Sequence, residues 1–112
     1  MANRDLSGKV VMVTGAGSGL GRAMTLALAE SGATVAGIDV NVDGMAKTAT
    51  MAQGSFTPIK TDITSVADAD SAIATAIKDL GGLHVLINCA GLGMPTLRVD
   101  YWDNRLYFWE AD

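Results

Sequence analysis

Short apolar runs and longer amphipathic stretches alternate along the first ninety residues of the chain. Four short runs are predicted as strands, and the first, residues 9–13, is a nearly continuous apolar run that suits a strand buried on both faces. Three stretches between them repeat apolar residues at the period of a helix. The predicted strands are 9–13, 34–38, 56–60 and 83–87, and the predicted helices are 20–30, 42–53 and 66–80. Strands that alternate with helices imply right-handed crossovers, so the pattern predicts an α/β fold with a doubly wound parallel sheet.

Local signals support some of these elements and oppose others. Ser65 followed by Asp68 forms a capping box at the start of the third helix, and Gly81-Gly82 ends that helix. Gly44 opposes the second helix, because glycine lowers helix stability. Pro58 opposes the third strand, because proline cannot donate a hydrogen bond to a sheet.

Composition and charge exclude several classes of protein. Of the 112 residues, 49% are apolar, which excludes a disordered tail, and no apolar run approaches the ~18 residues of a membrane span. The net charge of −4 argues against nucleic acid and anionic membranes as partners. Cys89 is the only cysteine, so a reducing compartment fits. Residues 1–5 contain no apolar signal segment, and we therefore expect a cytoplasmic protein.

The segment 14–21 places a glycine at every second position from Gly15 to Gly21, between a buried strand and a helix. Glycines let a backbone turn tightly and approach phosphates without a Cβ in the way. The amides at a helix N-terminus can then bind a pyrophosphate, and we expect the contact to involve mainly the N–H groups of residues 15–20. This context makes a dinucleotide loop the favoured interpretation over a purely structural turn.

Asp39 follows Gly21 by 18 residues and lies at the tip of the second predicted strand. A carboxylate in this position can accept hydrogen bonds from both ribose hydroxyls of an adenosine, and it would repel a 2′-phosphate. Ser18 and Val40 stand where an Arg or Lys would offset that repulsion. The pattern therefore predicts NAD rather than NADP, the alternative being a solvated acid at a strand end.

Three motifs together resemble the short-chain dehydrogenases/reductases over about residues 5 to 94. The segment 14–21 fits that family's TGxxxGxG pattern. Asp62-Ile63 is similar to the family's acid-plus-aliphatic pair after the third strand, which holds the adenine. Residues 88–91, Asn-Cys-Ala-Gly, are similar to its Asn-Asn-Ala-Gly segment, with Cys89 in place of the second Asn.

The resemblance implies a Rossmann-type fold and hydride transfer between a nicotinamide and an alcohol or ketone. It also implies a small-molecule alcohol or ketone substrate and a homo-oligomer for full-length members. We predict no metal ligand and no catalytic residue in this chain. The predicted cofactor-binding residues are Gly15, Ser18, Gly19, Leu20, Gly21, Asp39, Val40, Asp62, Ile63, Asn88, Ala90 and Gly91.

The family's catalytic serine and its Tyr-x-x-x-Lys pair belong to a later part of the family's chain. Here Tyr101 and Arg105 have the spacing of that pair, but an arginine stays protonated and cannot replace the lysine. We therefore interpret residues 1–112 as an incomplete NAD-binding domain, truncated after the fourth strand and inactive alone. Its core is 1–91, and 92–112 is a substrate-side loop or tail that holds five of the six aromatic residues.

The family's sheet order, 3-2-1-4-5-6-7, makes the fourth strand internal, whereas here that strand would be an exposed edge. We therefore expect an isolated chain that is marginally stable or oligomeric. Two other functions stay open. The chain could be a non-catalytic module that binds NAD, or an interaction fragment that pairs through its open edge with a full-length relative.

Four polar positions have alternative interpretations. Ser18 can bind a phosphate, cap the turn, or do both. Asp62 alone could be an acid that complements the dipole of the following helix. Cys89 is interpreted as a small buried residue, and His84 as a neutral histidine in the core or at an edge of the fourth strand, rather than as catalytic groups.

Overall fold

Four parallel strands and three helices make up the part of the chain that the computed structural model describes, residues 5–89. The elements in chain order are β1 (Val10–Thr14), α1 (Gly19–Glu30), β2 (Thr34–Asp39), α2 (Val42–Met51), β3 (Phe56–Lys60), α3 (Val66–Leu80) and β4 (Val85–Asn88). The strands lie in the order β3-β2-β1-β4, and every neighbouring pair is parallel. The predicted doubly wound α/β architecture is therefore confirmed.

The sheet carries an apolar core on each face, because successive side chains of a strand point to opposite sides. One core packs β1 and β2 against α1, and the other packs the same strands against α3. The first contains Val11, Val13, Ala16, Ala29, Ala33 and Val35, and the second contains Met12, Ala36, Ile38, Ala72 and Ala76. The central strand β1 is buried along its whole length, as its continuous apolar sequence predicts. No helix among residues 5–89 has the length and apolar character needed to cross a membrane.

The fourth strand begins two residues later than the predicted start at residue 83, and the cause is His84. The His84 N–H donates to the carbonyl of Val10 at 2.9 Å, but the N–H of Val10 donates to Nδ1 of the His84 ring at 2.8 Å. A side-chain nitrogen thus replaces a backbone carbonyl at this point. The regular ladder starts at the next pair, Val11 and Val85. His84 therefore lies just before β4 and has a structural hydrogen bond.

The two residues that oppose their predicted elements both have a place in the fold. Gly44 lies in the first turn of α2, where a Cβ would come within 2.5 Å of the Gly17 carbonyl oxygen. Close packing of α2 on the glycine loop therefore requires glycine there. Pro58 lies in β3, which has only β2 beside it among the described strands. An edge strand is where a missing N–H is tolerated.

Candidate functional site: the carboxyl edge of the sheet

The glycine loop leaves β1 and turns sharply into α1. Gly15 has a φ of +74°, a left-handed conformation that favours glycine. A Cβ on Gly21 would overlap the carbonyl oxygen of Gly15, so the first turn of α1 packs directly on the start of the loop. These two glycines make the tight turn that the spacing predicts.

The first amides of the loop are used inside the protein. The N–H groups of Gly15 and Ala16 donate to the Ile38 carbonyl at 2.7 and 3.4 Å, and the Gly17 N–H donates to Asp39 Oδ2 at 2.8 Å. We expected the N–H groups of residues 15–20 to make most of the contact with a ligand, but three of these groups already have acceptors inside the protein. The donors left for a ligand begin at Ser18, and Gly15 contributes the shape of the turn.

The N-terminus of α1 differs from those of the other two helices. Asn41 Oδ1 caps α2 by accepting from the Gly44 N–H, and Ser65 Oγ caps α3 by accepting from the Asp68 N–H. Ser18, the N-cap of α1, makes no side-chain capping bond, and the first turn of α1 contains no acidic residue. The first amides of a helix lack intrahelical acceptors. Within residues 5–89, this helix end is thus left without a capping side chain, and its partial positive charge suits an anion.

The surroundings of this helix end leave room for a ligand. Apart from its chain neighbours and the nearby backbone of α1, no described atom lies within 4 Å of the place where a Cβ on Gly19 would be, and this residue has a φ of +55°. Leu20 is 68% exposed beside it. The structure therefore brings the predicted residues Ser18, Gly19 and Leu20 to one accessible end of α1.

Asp39 ends β2 next to the glycine loop. Its Oδ2 accepts from Gly17 and its Oδ1 accepts from the N–H of Asn41 at 3.0 Å. A Cβ on Gly17 would lie only 2.7 Å from Oδ2, so the close contact between loop and carboxylate needs glycine at that position. Each carboxylate oxygen can accept a further hydrogen bond, which leaves Asp39 able to bind a ribose hydroxyl. Val40, the next residue, is exposed.

An apolar cleft of about 110 Å³ opens on the α3 side of the same sheet edge. Its walls come from the strand ends, from the segment after β3 and from α3. The lining residues are Met12, Thr14, Ile38, Thr61, Ile63, Ala69, Ala72, Ile73 and Leu86. The predicted adenine-binding residue Ile63 thus lies on the wall of a cavity that suits a flat, weakly polar ring.

Asp62 shapes the turn that presents Ile63. Its Oδ1 accepts from the hydroxyl of Thr64 at 2.6 Å and from the Thr64 N–H at 2.9 Å, while its own N–H donates to Asp68 Oδ2 at 3.0 Å. The Thr64 hydroxyl and, to a smaller extent, the Thr64 N–H lower the pKa of the Asp62 carboxyl. Asp62 therefore belongs to the turn before α3 as well as to the candidate site.

Asn88 joins the ends of two adjacent strands. Its Oδ1 accepts from the Thr14 hydroxyl at 2.7 Å, which ties the carboxyl ends of β1 and β4 together beside the glycine loop. Cys89 follows it and is partly buried. Ala90 and Gly91, the other predicted cofactor-binding residues of this segment, lie outside the described residues, as does the 92–112 tail.

Arg22 and Thr48 form hydrogen bonds with backbone carbonyls of the glycine loop, and the sequence analysis identified neither residue. Arg22 Nη2 donates to the carbonyls of Gly17 at 2.6 Å and Gly44 at 3.0 Å, and its Nε donates to Thr48 Oγ1 at 2.9 Å. The fully buried Thr48 hydroxyl lies 2.8 Å from the Ala16 carbonyl. The only sequence signal was an arginine directly after the last glycine of the loop. Hydrogen bonds to backbone carbonyls leave no residue pattern to find.

Comparison with known proteins places this arrangement in a family. A family model described as short chain dehydrogenase matches residues 9–106. The hydroxyacyl-CoA dehydrogenase ChsB1 of Mycobacterium tuberculosis is 44% identical over 115 residues, an alignment that covers 96% of this chain and 35% of that protein. The chain thus spans about a third of the length of this curated relative.

Solved structures show the same fold. A hydroxysteroid dehydrogenase from Escherichia coli has a TM-score of 0.76 and 31% identity, with 89% of this chain and 47% of that chain covered. A 3-ketoacyl-(acyl-carrier-protein) reductase from Brucella melitensis, complexed with NADH, has a TM-score of 0.68 and 32% identity, with 73% of this chain and 34% of that chain covered.

Proposed function

Because the chain belongs to the short-chain dehydrogenase family, we propose that it is the NAD-binding part of an oxidoreductase. The full-length protein would transfer a hydride between the nicotinamide of NAD and the carbon of a small alcohol or ketone. When bound, the nicotinamide of the cofactor accepts the hydride in its oxidised form and donates it in its reduced form. The residues described here bind and orient the adenosine and pyrophosphate of that cofactor.

One observation carries the proposal: an uncapped helix end and an acid lie side by side, joined by the 2.8 Å bond from the Gly17 N–H to Asp39 Oδ2. The amides from Ser18 onward would receive the pyrophosphate, because no side chain among residues 5–89 caps this helix end. The Asp39 carboxylate would accept from the adenosine ribose. The apolar cleft walled by Ile63 would take the adenine ring.

The choice of NAD over NADP rests on charge. A 2′-phosphate would approach the carboxylate of Asp39, and the neighbouring residues Ser18 and Val40 offer no cation. Arg22, which contacts the loop, directs its Nε to Thr48 and its Nη2 to the carbonyls of Gly17 and Gly44. The NADH complex of the Brucella melitensis reductase supports the same cofactor for a related protein.

Isothermal titration calorimetry on the full 112-residue chain tests the cofactor. We expect NAD to bind and NADP to bind at least about 10-fold more weakly, because like charges in close contact are unfavourable. Equal affinities for the two cofactors would contradict the assignment to NAD. No heat from either would refute the nucleotide site itself.

Turnover is a separate matter. The sequence has no Tyr-x-x-x-Lys pair, so we expect the pure chain to bind cofactor without oxidising NADH in the presence of ketones. An assay of NADH absorbance with a panel of small ketones measures this directly. Ketone-dependent oxidation of NADH by the chain alone would overturn the proposed division between cofactor binding and catalysis.

A further inference from the structure

We infer that Arg22 is a positioning residue that acts on the dinucleotide through the backbone of the glycine loop, and that Thr48 assists it. The inference rests on the proposed function and concerns how the pyrophosphate donors are aimed. It starts from the peptide unit between Gly17 and Ser18. Its carbonyl oxygen lies 2.6 Å from Arg22 Nη2.

Because a peptide unit is planar, the hydrogen bond to the Gly17 carbonyl also determines the direction of the Ser18 N–H. In a planar trans peptide the carbonyl of one residue and the N–H of the next point in opposite directions. When Arg22 holds the Gly17 carbonyl towards α2, the Ser18 N–H must therefore point away from α2. Ser18 is the first loop amide with no hydrogen-bond acceptor among residues 5–89, so this peptide plane sets the direction of the first pyrophosphate donor.

The preceding peptide unit is fixed in the same manner. The Thr48 hydroxyl lies 2.8 Å from the Ala16 carbonyl, closer than the 3.1 Å that separates it from the Gly44 carbonyl of its own helix. On the opposite side of the Ala16–Gly17 peptide, the Gly17 N–H donates to Asp39. The hydroxyl also accepts from Arg22 Nε, so the two side chains act together. Two consecutive loop peptides are thus oriented by the half-buried Arg22 of α1 and the buried Thr48 of α2.

The shape of the guanidinium is essential here. Arg22 reaches three acceptors on two segments, namely the carbonyls of Gly17 and Gly44 and the hydroxyl of Thr48. A planar fork can do this with fixed geometry, whereas an ammonium is a compact charge with freely rotating donors. Arg22→Lys therefore keeps the charge near the loop and removes the orientation.

The experiment compares two ligands on the full chain by calorimetry: NAD, which needs the loop, and adenosine, which carries no phosphate. For Arg22→Lys we expect NAD affinity to fall by about 10-fold, the size of one charged hydrogen bond, with adenosine affinity unchanged. Lys47→Gln removes an exposed cation of α2 outside this network and should leave both affinities as in wild type. Wild-type NAD affinity in Arg22→Lys, or an equal loss for both ligands, would overturn the inference.

A second pair of variants keeps the test independent of the arginine. Thr48→Val removes the hydroxyl at nearly constant volume, and Thr48→Ser retains it. We expect the valine variant to lose NAD affinity and the serine variant to recover it. Equal NAD affinities in these two variants would count against the role of Thr48.

The ligand-free protein separates this inference from the proposed function. In ¹⁵N spectra without ligand, Arg22→Lys should shift the Ser18 amide resonance and Lys47→Gln should not. If wild type binds neither NAD nor adenosine, the proposed function fails, while an Arg22-dependent Ser18 resonance still supports the loop geometry. An unshifted Ser18 resonance in Arg22→Lys would refute that geometry whatever the wild type binds.

Discussion

Asp39 has two separable roles, because one carboxylate holds the Gly17 amide of the loop and also faces the proposed ribose site. An alanine at position 39 would remove both roles at once and leave the buried Gly17 N–H without its acceptor. An asparagine retains an oxygen that can accept from Gly17 and removes only the charge. Asp39→Asn is therefore the substitution that tests the choice of cofactor without removing the hydrogen-bond acceptor of the loop.

For Asp39→Asn we expect the preference for NAD over NADP to narrow by about 10-fold, because the repulsion of the 2′-phosphate is gone. Asp39→Ala should narrow it equally but also lower the free energy of unfolding by about 1 kcal/mol, since a buried donor loses its partner. Calorimetric titration of both cofactors and urea unfolding measure the two effects. An unchanged cofactor ratio in Asp39→Asn would place the 2′-position away from this carboxylate.

The hydrogen bonds of Asp62 to Thr64 lead to a prediction about the pKa of the Asp62 carboxyl. Thr64→Ala removes the hydroxyl, the larger of the two hydrogen bonds that lower the Asp62 pKa, so the pKa should rise towards its ordinary value. Thr64→Ser keeps the hydroxyl and should keep the pKa low. Titration of the carboxyl carbons by NMR measures both, with Asp5, whose pKa Ser7 lowers, as an internal reference that neither variant should change.

The sign of the linked stability effect follows from the direction of that shift. A carboxyl whose pKa is lower in the folded state stabilises the fold above its unfolded pKa, and this contribution is lost as the pH falls through the folded pKa. The stability difference between wild type and Thr64→Ala should therefore be constant above about pH 5 and shrink below about pH 4. A difference that grows towards acid would contradict the assignment.

At the scale of elements, sequence patterns were sufficient where a single physical rule dominates. The continuous apolar run of β1 predicts a central buried strand, and the period of α3 predicts its long helix with both end signals. Sequence patterns were insufficient to predict elements in which tertiary contacts override local preference. Gly44 opposes a helix in sequence, yet it is the residue that lets α2 approach the Gly17 carbonyl.

The same limit applies to the candidate site. The positions of Gly15, Gly21 and Asp39 follow from the spacing of glycines and an acid after consecutive strands, since parallel strands bring their carboxyl ends to one edge. The Arg22 and Thr48 network does not follow, because its acceptors are carbonyls that every residue possesses. The sequence therefore indicates where a ligand would bind, and the structure is needed to identify the side chains that orient the N–H donors of the loop.

His84 supplies a prediction about how β4 joins the sheet. His84→Ala leaves the N–H of buried Val10 without its described acceptor and should lower the free energy of unfolding by about 1 kcal/mol. His84→Asn offers a side-chain oxygen to the same N–H and should lose less. Urea unfolding gives the stability, and hydrogen exchange at the Val10 amide gives the local effect. Equal exchange in all three proteins would show that the ring nitrogen is not the acceptor that matters.

At the scale of the whole molecule, the α3 side of the sheet exposes several large apolar side chains. Leu86 of β4 is 58% exposed, and Ile73 and Ile77 of α3 are 40% and 53% exposed. Within residues 5–89, β4 pairs with β1 and has no strand on its other side. An unpaired parallel edge beside an apolar patch favours association with another chain.

We therefore expect the isolated chain to self-associate as its concentration rises, and Leu86→Lys to reduce that association, because a charge at this position would have to be desolvated at the contact. Met51→Lys is the matched control: Met51 is 48% exposed but ends α2, which packs against α1 rather than α3. Sedimentation velocity over a range of concentrations measures the effect. A wild-type chain that stays monomeric and unfolds in one sharp thermal transition would contradict the expectation. That result would mean that the chain folds cooperatively on its own although apolar side chains of its α3 side are exposed.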